Sequence, residues 1–311
     1  MAILLATNFE AGEQAQWLAL LRAALPGETV VGERTPADAQ SVDIAIVANP
    51  LPGALLGLPR LALIQSLWAG VERLLADPDL PAAVPLARMV DPALNEAMAQ
   101  TALWAVLGLH RDFFDYAAQQ RERQWRQLPQ RRAEEIDVAV LGMGQMGRAA
   151  ALRLAASGYR VSGWSTRAMA LPPVRTRHGS DALAQLLGQA QVVVNLLPLT
   201  PATRGLFDAR ALAQMQRGAS LVNLARGAHV VDSDLIDALD RGHLHRAVLD
   251  VFHAEPLPAE HPFWAHPRIT VLPHTAAQTD PRTAAEIAAR NVRALRAGEP
   301  LAGRVDRERG Y

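Results

Sequence analysis

The sequence predicts an α/β fold of two doubly wound parallel-sheet domains joined by long helices. Three observations predict it. Short apolar runs alternate with helical stretches over the first hundred residues, and the same alternation restarts more regularly after residue 136. A long helical stretch without proline lies between the two series. Half of the 311 residues are hydrophobic, enough for two cores of ordinary size.

In the first series "AILLATN", "VDIAIVANP", "LALIQSLWAG" and "PLARMV" read as short buried strands. Between the first two, Trp17, Leu18, Leu21 and Leu25 recur at helical spacing and Gly27 ends the element. The middle stretch, Asn95 to Trp125, has one glycine and is expected to be a single helix bridging two domains, followed by the polar connection "RQLPQRRAEEI". The second series offers six strands: "DVAVLGM", "RVSGWS", "QVVVNLLP", "SLVNLAR", "RAVLDVF" and "ITVLPH". The last helix, "PRTAAEIAARNVRALRAGE", is expected to return to the first domain. The expected division is therefore 1–98 with 280–311, and 99–279.

Composition removes several function classes. Basic and acidic residues balance at 31 each, so no basic surplus indicates nucleic acid and no acidic tail indicates a solvating role. No apolar run reaches the length of a membrane span, and the start shows neither a basic region nor a leader-length apolar run. With no cysteine, a cytoplasmic protein is the expectation. Lysine is absent as well, which excludes Schiff-base chemistry and a P-loop lysine. Thiol nucleophiles and thiolate zinc sites are excluded with cysteine, and no metal site is expected. Proton transfer falls to His, Asp, Glu or Tyr, and charge stabilisation to Arg or the backbone.

"VAVLGMGQMGRAAALRLAASG" places Gly142, Gly144 and Gly147 between an apolar strand and an Ala/Leu-rich helix. That context turns a weak G-x-G-x-x-G match into a dinucleotide signal; alone it is a glycine-rich turn. The loop Gly142, Met143, Gly144, Gln145, Met146 and Gly147 is the expected cradle for a pyrophosphate. About 20 residues on, where NAD-binding chains carry an acid, stand Ser165, Thr166 and Arg167. Arg167 suits the 2′-phosphate of NADP, with Arg175 and Arg177 as further candidates, so NADP is the expected cofactor and NAD the alternative. The plainer reading of Arg167 is a solvated surface residue.

In open α/β sheets ligands bind beyond the carboxyl ends of the strands. Arg226 ends "SLVNLAR", Asp250 sits in "RAVLDVF", Glu255 follows in "HAEPLP", and His274 ends "ITVLPH". Singly, each is an ordinary loop or capping residue, as the other eight histidines are expected to be. Together, after a nucleotide loop, they make a constellation. His274 is the natural acid/base, Glu255 its orienting carboxylate, and Arg226 a fork for a substrate carboxylate and the adjacent carbonyl oxygen.

On these motifs, with "NLLPLTPATRGL" and "LPHTAA", the chain resembles the D-2-hydroxyacid dehydrogenase family, and within it the bacterial reductases of glyoxylate and hydroxypyruvate. The resemblance covers the whole second domain and runs to "GRVDRERGY". It implies a Rossmann cofactor domain, a flavodoxin-like substrate domain, a homodimer and a D-hydroxy acid product. It implies Arg226, Glu255 and His274 as catalytic residues and Asp250 at the nicotinamide. Leu197, Pro198, Thr203 and Ala225 would line the cofactor. In the first domain, "LWAGVERL" implies that Ala69, Gly70 and Val71 receive the substrate carboxylate and that Trp68 shapes the pocket; a core tryptophan is the other reading. In that branch an arginine tends to follow the serine of "WS" directly, whereas Thr166 stands here, which keeps NADH use open. The remaining rivals are a dinucleotide-sensing module, a dehydrogenase of bulkier or phosphorylated acids, and a methyltransferase.

Overall fold

The computed structural model describes residues 1–33, 35 and 38–310; Tyr311, the last residue of the C-terminal stretch of the resemblance, lies outside them. The chain divides into two compact units, Met1–Leu94 with Thr279–Tyr311, and Asn95–Gln278. Each builds its own parallel sheet.

The first unit contains β1 (Ala2–Thr7), α1 (Ala11–Ala24), β2 (Thr29–Val31), β3 (Val42–Ala48), β4 (Leu63–Ser66), α2 (Glu72–Leu75) and β5 (Leu86–Ala87), in the strand order β2-β1-β3-β4-β5. Every residue of β3 is buried, as a central strand covered on both faces requires. The three-residue β2 escapes the sequence reading because it is too short to show a period.

Next come α3 (Pro92–His110) and α4 (Phe113–Arg121), where the sequence reading expected one helix. The helix breaks because Asp112 takes a left-handed conformation, φ +57°, which Asp tolerates better than most residues. The turn lets the Phe114 ring fold onto Gly108, where a Cβ would lie 2.7 Å from the ring.

The second unit continues with β6 (Asp137–Leu141), α5 (Gln145–Ala156), β7 (Arg160–Ser165), β8 (Arg175–His178), α6 (Ser180–Gln189), β9 (Val192–Asn195), α7 (Ala209–Gln214), β10 (Ser220–Asn223), α8 (Asp232–Asp240), β11 (Ala247–Leu249) and β12 (Ile269–Val271). The order is β12-β11-β10-β9-β6-β7-β8, so the winding reverses between β6 and β9. All six expected strands are present. The seventh, β8, has the sequence "RTRH", a charged edge strand with no apolar alternation to announce it. Two apolar layers flank the sheet, one with Trp164, Phe207 and Phe263, the other with Met143, Leu154 and Val222.

The chain closes with α9 (Pro281–Ala297) in the first unit. Asp280 caps it by accepting the N–H of Arg282 at 2.9 Å, Pro281 occupies its first turn, and Gly298 ends it at φ +70°. Among the described residues no helix is long and apolar enough to cross a membrane.

Candidate active site

Strand register lines up the edge at which the site forms. Trp164, Leu141, Asn195, Asn223, Leu249 and Val271 form one row of paired residues across β7, β6, β9, β10, β11 and β12. The glycine loop, Arg226, Asp250, Glu255 and His274 all follow this row on the carboxyl side, within the second unit.

Gly142, at φ +97°, cannot carry a side chain because a Cβ would lie 2.5 Å from the Leu196 carbonyl oxygen. A Cβ on Gly147 would run into the Gly142 carbonyl. Packing within the protein thus requires the first and third glycines. Gly144 differs: a Cβ there meets nothing within 4 Å. The space over Gly144 leads directly to backbone at the start of α5, which fits the approach of a pyrophosphate. Arg148 secures the loop by donating from Nε to the Met143 carbonyl at 3.0 Å. Gln145 and Met146 open α5.

Ser165, Thr166 and Arg167 follow β7, where the ribose end of a dinucleotide would lie; the Ser165 hydroxyl donates to the Arg167 carbonyl at 2.6 Å. Arg175 pairs with Ser162, three positions back from Ser165 and so about 10 Å from this edge. It is therefore poorly placed for the role the sequence reading offered it. His178, passed over in the sequence, is level with Ser165. Leu197 is buried after β9. Thr203 closes the loop beside it, donating to the Pro198 carbonyl at 2.7 Å and accepting the Thr200 N–H at 2.8 Å.

His274 Nδ1 lies 2.7 Å from Glu255 Oε2, and Glu255 Oε1 accepts the N–H of Phe252 at 2.9 Å. The hydrogen bond to Glu255 raises the His274 pKa above the ordinary 6.5, against burial and the positive field of Arg226. Burial alone would raise the Glu255 carboxyl, but the bonds from His274 and Phe252 outweigh it and hold it below its ordinary value. With Nδ1 engaged, Nε2 of His274 has no protein partner among the described residues. His274 also holds φ +53°, an uncommon conformation for a residue with a side chain and one found at functional sites.

Asp250, which the resemblance ties to the nicotinamide, is 1% exposed. Its two oxygens accept the N–H groups of Thr275 and Ala276 at 2.7 and 3.0 Å, and its carbonyl accepts the His274 N–H at 2.9 Å. That geometry makes Asp250 a holder of the His274 loop. Burial pushes its carboxyl up, opposed by those two N–H bonds.

Arg226 is half-buried and donates to the Ala225 carbonyl at 2.6 Å. Its positive field reaches both His274 and Glu255. Three residues that sequence reasoning missed hold this strand end. Asn195 donates to Asn223 Oδ1 at 3.0 Å, Asn223 donates to the Arg226 carbonyl at 3.0 Å, and Asn223 Oδ1 accepts the Ala225 N–H at 3.2 Å. His229, expected at a turn or surface, is fully buried with its ring nitrogens 3.1 and 3.3 Å from the carbonyls of Arg226 and Pro198. Polar residues at the ends of two apolar strands were the signal available for the asparagines.

In the first unit, Trp68 is half-buried, its ring edge-on to Phe9, which stacks on Trp17. Its carbonyl accepts from Met89 N–H at 3.0 Å and the Ser66 hydroxyl at 3.1 Å. The following N–H groups, of Ala69, Gly70 and Val71, have no partner among the described residues.

Comparison with known proteins finds relatives that match along nearly the whole chain. The family model described as D-isomer specific 2-hydroxyacid dehydrogenase, NAD binding domain, matches residues 103–276. A glyoxylate/hydroxypyruvate reductase A from Serratia proteamaculans is 40% identical over 301 residues, 95% of this chain and 96% of that protein. A D-isomer specific 2-hydroxyacid dehydrogenase from Xanthobacter autotrophicus, solved with NADPH and MES, superposes with a TM-score of 0.94 at 42% identity, covering 100% of this chain and 99% of the other. An NADPH-dependent glyoxylate/hydroxypyruvate reductase from Sinorhizobium meliloti, solved with NADP and sulfate, gives 0.92 at 34% identity over 100% and 99% of the two chains.

Proposed function

Because the chain belongs to the D-isomer specific 2-hydroxyacid dehydrogenase family, we propose that it reduces small 2-oxo acids, glyoxylate and hydroxypyruvate foremost, to D-2-hydroxy acids with NADPH. The observation that carries this reading is the 2.7 Å His274–Glu255 pair with Nε2 of the histidine left for a substrate. The cofactor, when bound, supplies the hydride.

His274, whose protonated form Glu255 favours, donates from Nε2 to the carbonyl oxygen as it gains charge. Arg226 holds the carboxylate and stabilises the developing alkoxide with fixed positive charge. Asp250 keeps the His274 loop in place through Thr275 and Ala276. Within the first unit, the N–H groups of Ala69, Gly70 and Val71, without partners among the described residues, suit an anion such as a carboxylate. The missing acid after β7, with Arg167 in its neighbourhood, supports NADPH over NADH, as does the NADPH or NADP in the two similar structures.

A homodimer in the cytoplasm completes the proposal; exposed Trp104, Phe113 and Trp125 on and after α3 and α4 support a partner surface. Initial rates of NADPH and NADH oxidation with each substrate, for the parent and His274→Ala, test the reading. Turnover favouring NADPH and abolished in the variant supports it. Turnover favouring NADH overturns the cofactor assignment alone. Dinucleotide binding with no turnover on any 2-oxo acid supports a sensing module instead.

A further inference from the structure

The turn bearing Glu255 closes on itself, because the Glu255 carboxylate accepts the Phe252 N–H at its start. A short closed turn still needs anchoring if its carboxylate is to stay within reach of His274. The segment after Arg226 supplies the anchor. Gly227 has no room for a side chain because the backbone of Phe252 and His253 crosses directly over it. His253 Nε2 then lies 2.8 Å from the Val230 carbonyl. A carbonyl only accepts, so this nitrogen carries the hydrogen.

The same nitrogen is 3.5 Å from Asp232 Oδ1, at the first turn of α8, and Asp232 Oδ2 is 3.4 Å from His261 Nε2. His261 Nδ1 accepts the Phe263 N–H at 3.4 Å, which leaves its Nε2 as the protonated nitrogen facing Asp232. One carboxylate thus faces N–H groups on both sides of Glu255 in the chain. Neither histidine nor Asp232 takes part in the steps above.

We propose that His253 and Asp232 are positioning residues, tying the Glu255 turn to the segment that begins at Arg226 and so holding Glu255 against His274. The proposal rests on the acid/base reading of that pair, but its readout is the titration of His274 itself. The groups facing the His274 ring are Glu255, Asp250 and Arg226, and the first contributes most to its raised pKa.

Ring-carbon NMR titration, with His274→Asn to assign the resonance, follows His274 in the parent, His253→Ala, His253→Gln and Asp232→Asn. Urea unfolding establishes that each variant is folded. In His253→Ala the His274 pKa is expected to fall by about half a unit or more. In His253→Gln, whose amide reaches the same carbonyl, it is expected to stay at the parent value. Asp232→Asn is expected to fall between the two. With glyoxylate and NADPH, kcat/KM of His253→Ala should drop about fivefold to tenfold, with the dinucleotide Kd unchanged. An unmoved His274 pKa in both His253→Ala and Asp232→Asn, or a His253→Gln protein as low as His253→Ala, overturns the proposal. A parent that titrates high yet turns over no 2-oxo acid fails the catalytic reading, while the titration still decides the tie.

Discussion

Strand β11 has a histidine–carboxylate pair at each end. Beyond its carboxyl end His274 meets Glu255 at 2.7 Å; before its amino end His245 meets Asp115 at 3.2 Å. The difference lies in the third partner. Asp115 also accepts from Arg246 Nε and Nη2 at 3.2 and 2.9 Å, and the Arg246 side chain is only 8% exposed. A buried guanidinium that claims the carboxylate makes a structural ion pair. At the other end the bonds that Glu255 accepts among the described residues come from His274 and the Phe252 N–H, with no buried guanidinium bound to it, so Glu255 serves the histidine. Similar residue types therefore give an anchor at one end and, in the function proposed, a proton-transfer pair at the other.

This contrast can be broken from either side. The largest effect belongs to His274→Ala, which should lower kcat for reduction by about 10²- to 10⁴-fold while the urea midpoint stays near the parent's. Arg226→Lys follows, with an expected loss of about 10²-fold to 10³-fold in kcat/KM, because an ammonium cannot hold a carboxylate and a carbonyl oxygen as a planar fork does. Steady-state kinetics measures both.

Asp115→Asn should act oppositely: unchanged kcat, but about 1–3 kcal/mol less stable by urea unfolding, because Arg246 loses its charged partner. The sign with pH follows from the carboxyl itself. Burial alone would raise its pKa, but the bonds from His245 and Arg246 outweigh this and hold it well below the ordinary 3.8. Its stabilisation is therefore present above about pH 4 and lost as the pH falls further. In the Asn variant that acid-sensitive part of the stability should disappear. His245→Gln is the smallest change, expected under about 0.5 kcal/mol, since that side chain is 42% exposed and Arg246 retains Asp115.

Much of the candidate site was legible because it is written locally. The glycine loop carries its own spacing and context, and Arg226 and His274 stand within three residues of apolar strands. What escaped depends on neighbours distant in sequence. Asn195 and Asn223 are 28 positions apart and meet only because β9 pairs with β10. His253 looked like any loop histidine until the Gly227 segment ran beneath it. The helix break comes at the left-handed Asp112, and the turn it makes lets Phe114 close on Gly108, a contact that apolar periodicity does not encode. Strand β8 is held by pairing with β7 and has no apolar face of its own to display.

The most direct test of the central claim is the pH dependence of kcat/KM for glyoxylate reduction, in the parent and in Glu255→Gln. Reduction needs His274 protonated, so the rate should hold below the His274 pKa and fall as the pH rises through it. Because Glu255 raises that pKa above 6.5 in the parent, the falling limb should lie above 6.5 and move to lower pH in Glu255→Gln. A limb at the same pH in both proteins would contradict the account, since Glu255 would then not set the protonation of His274.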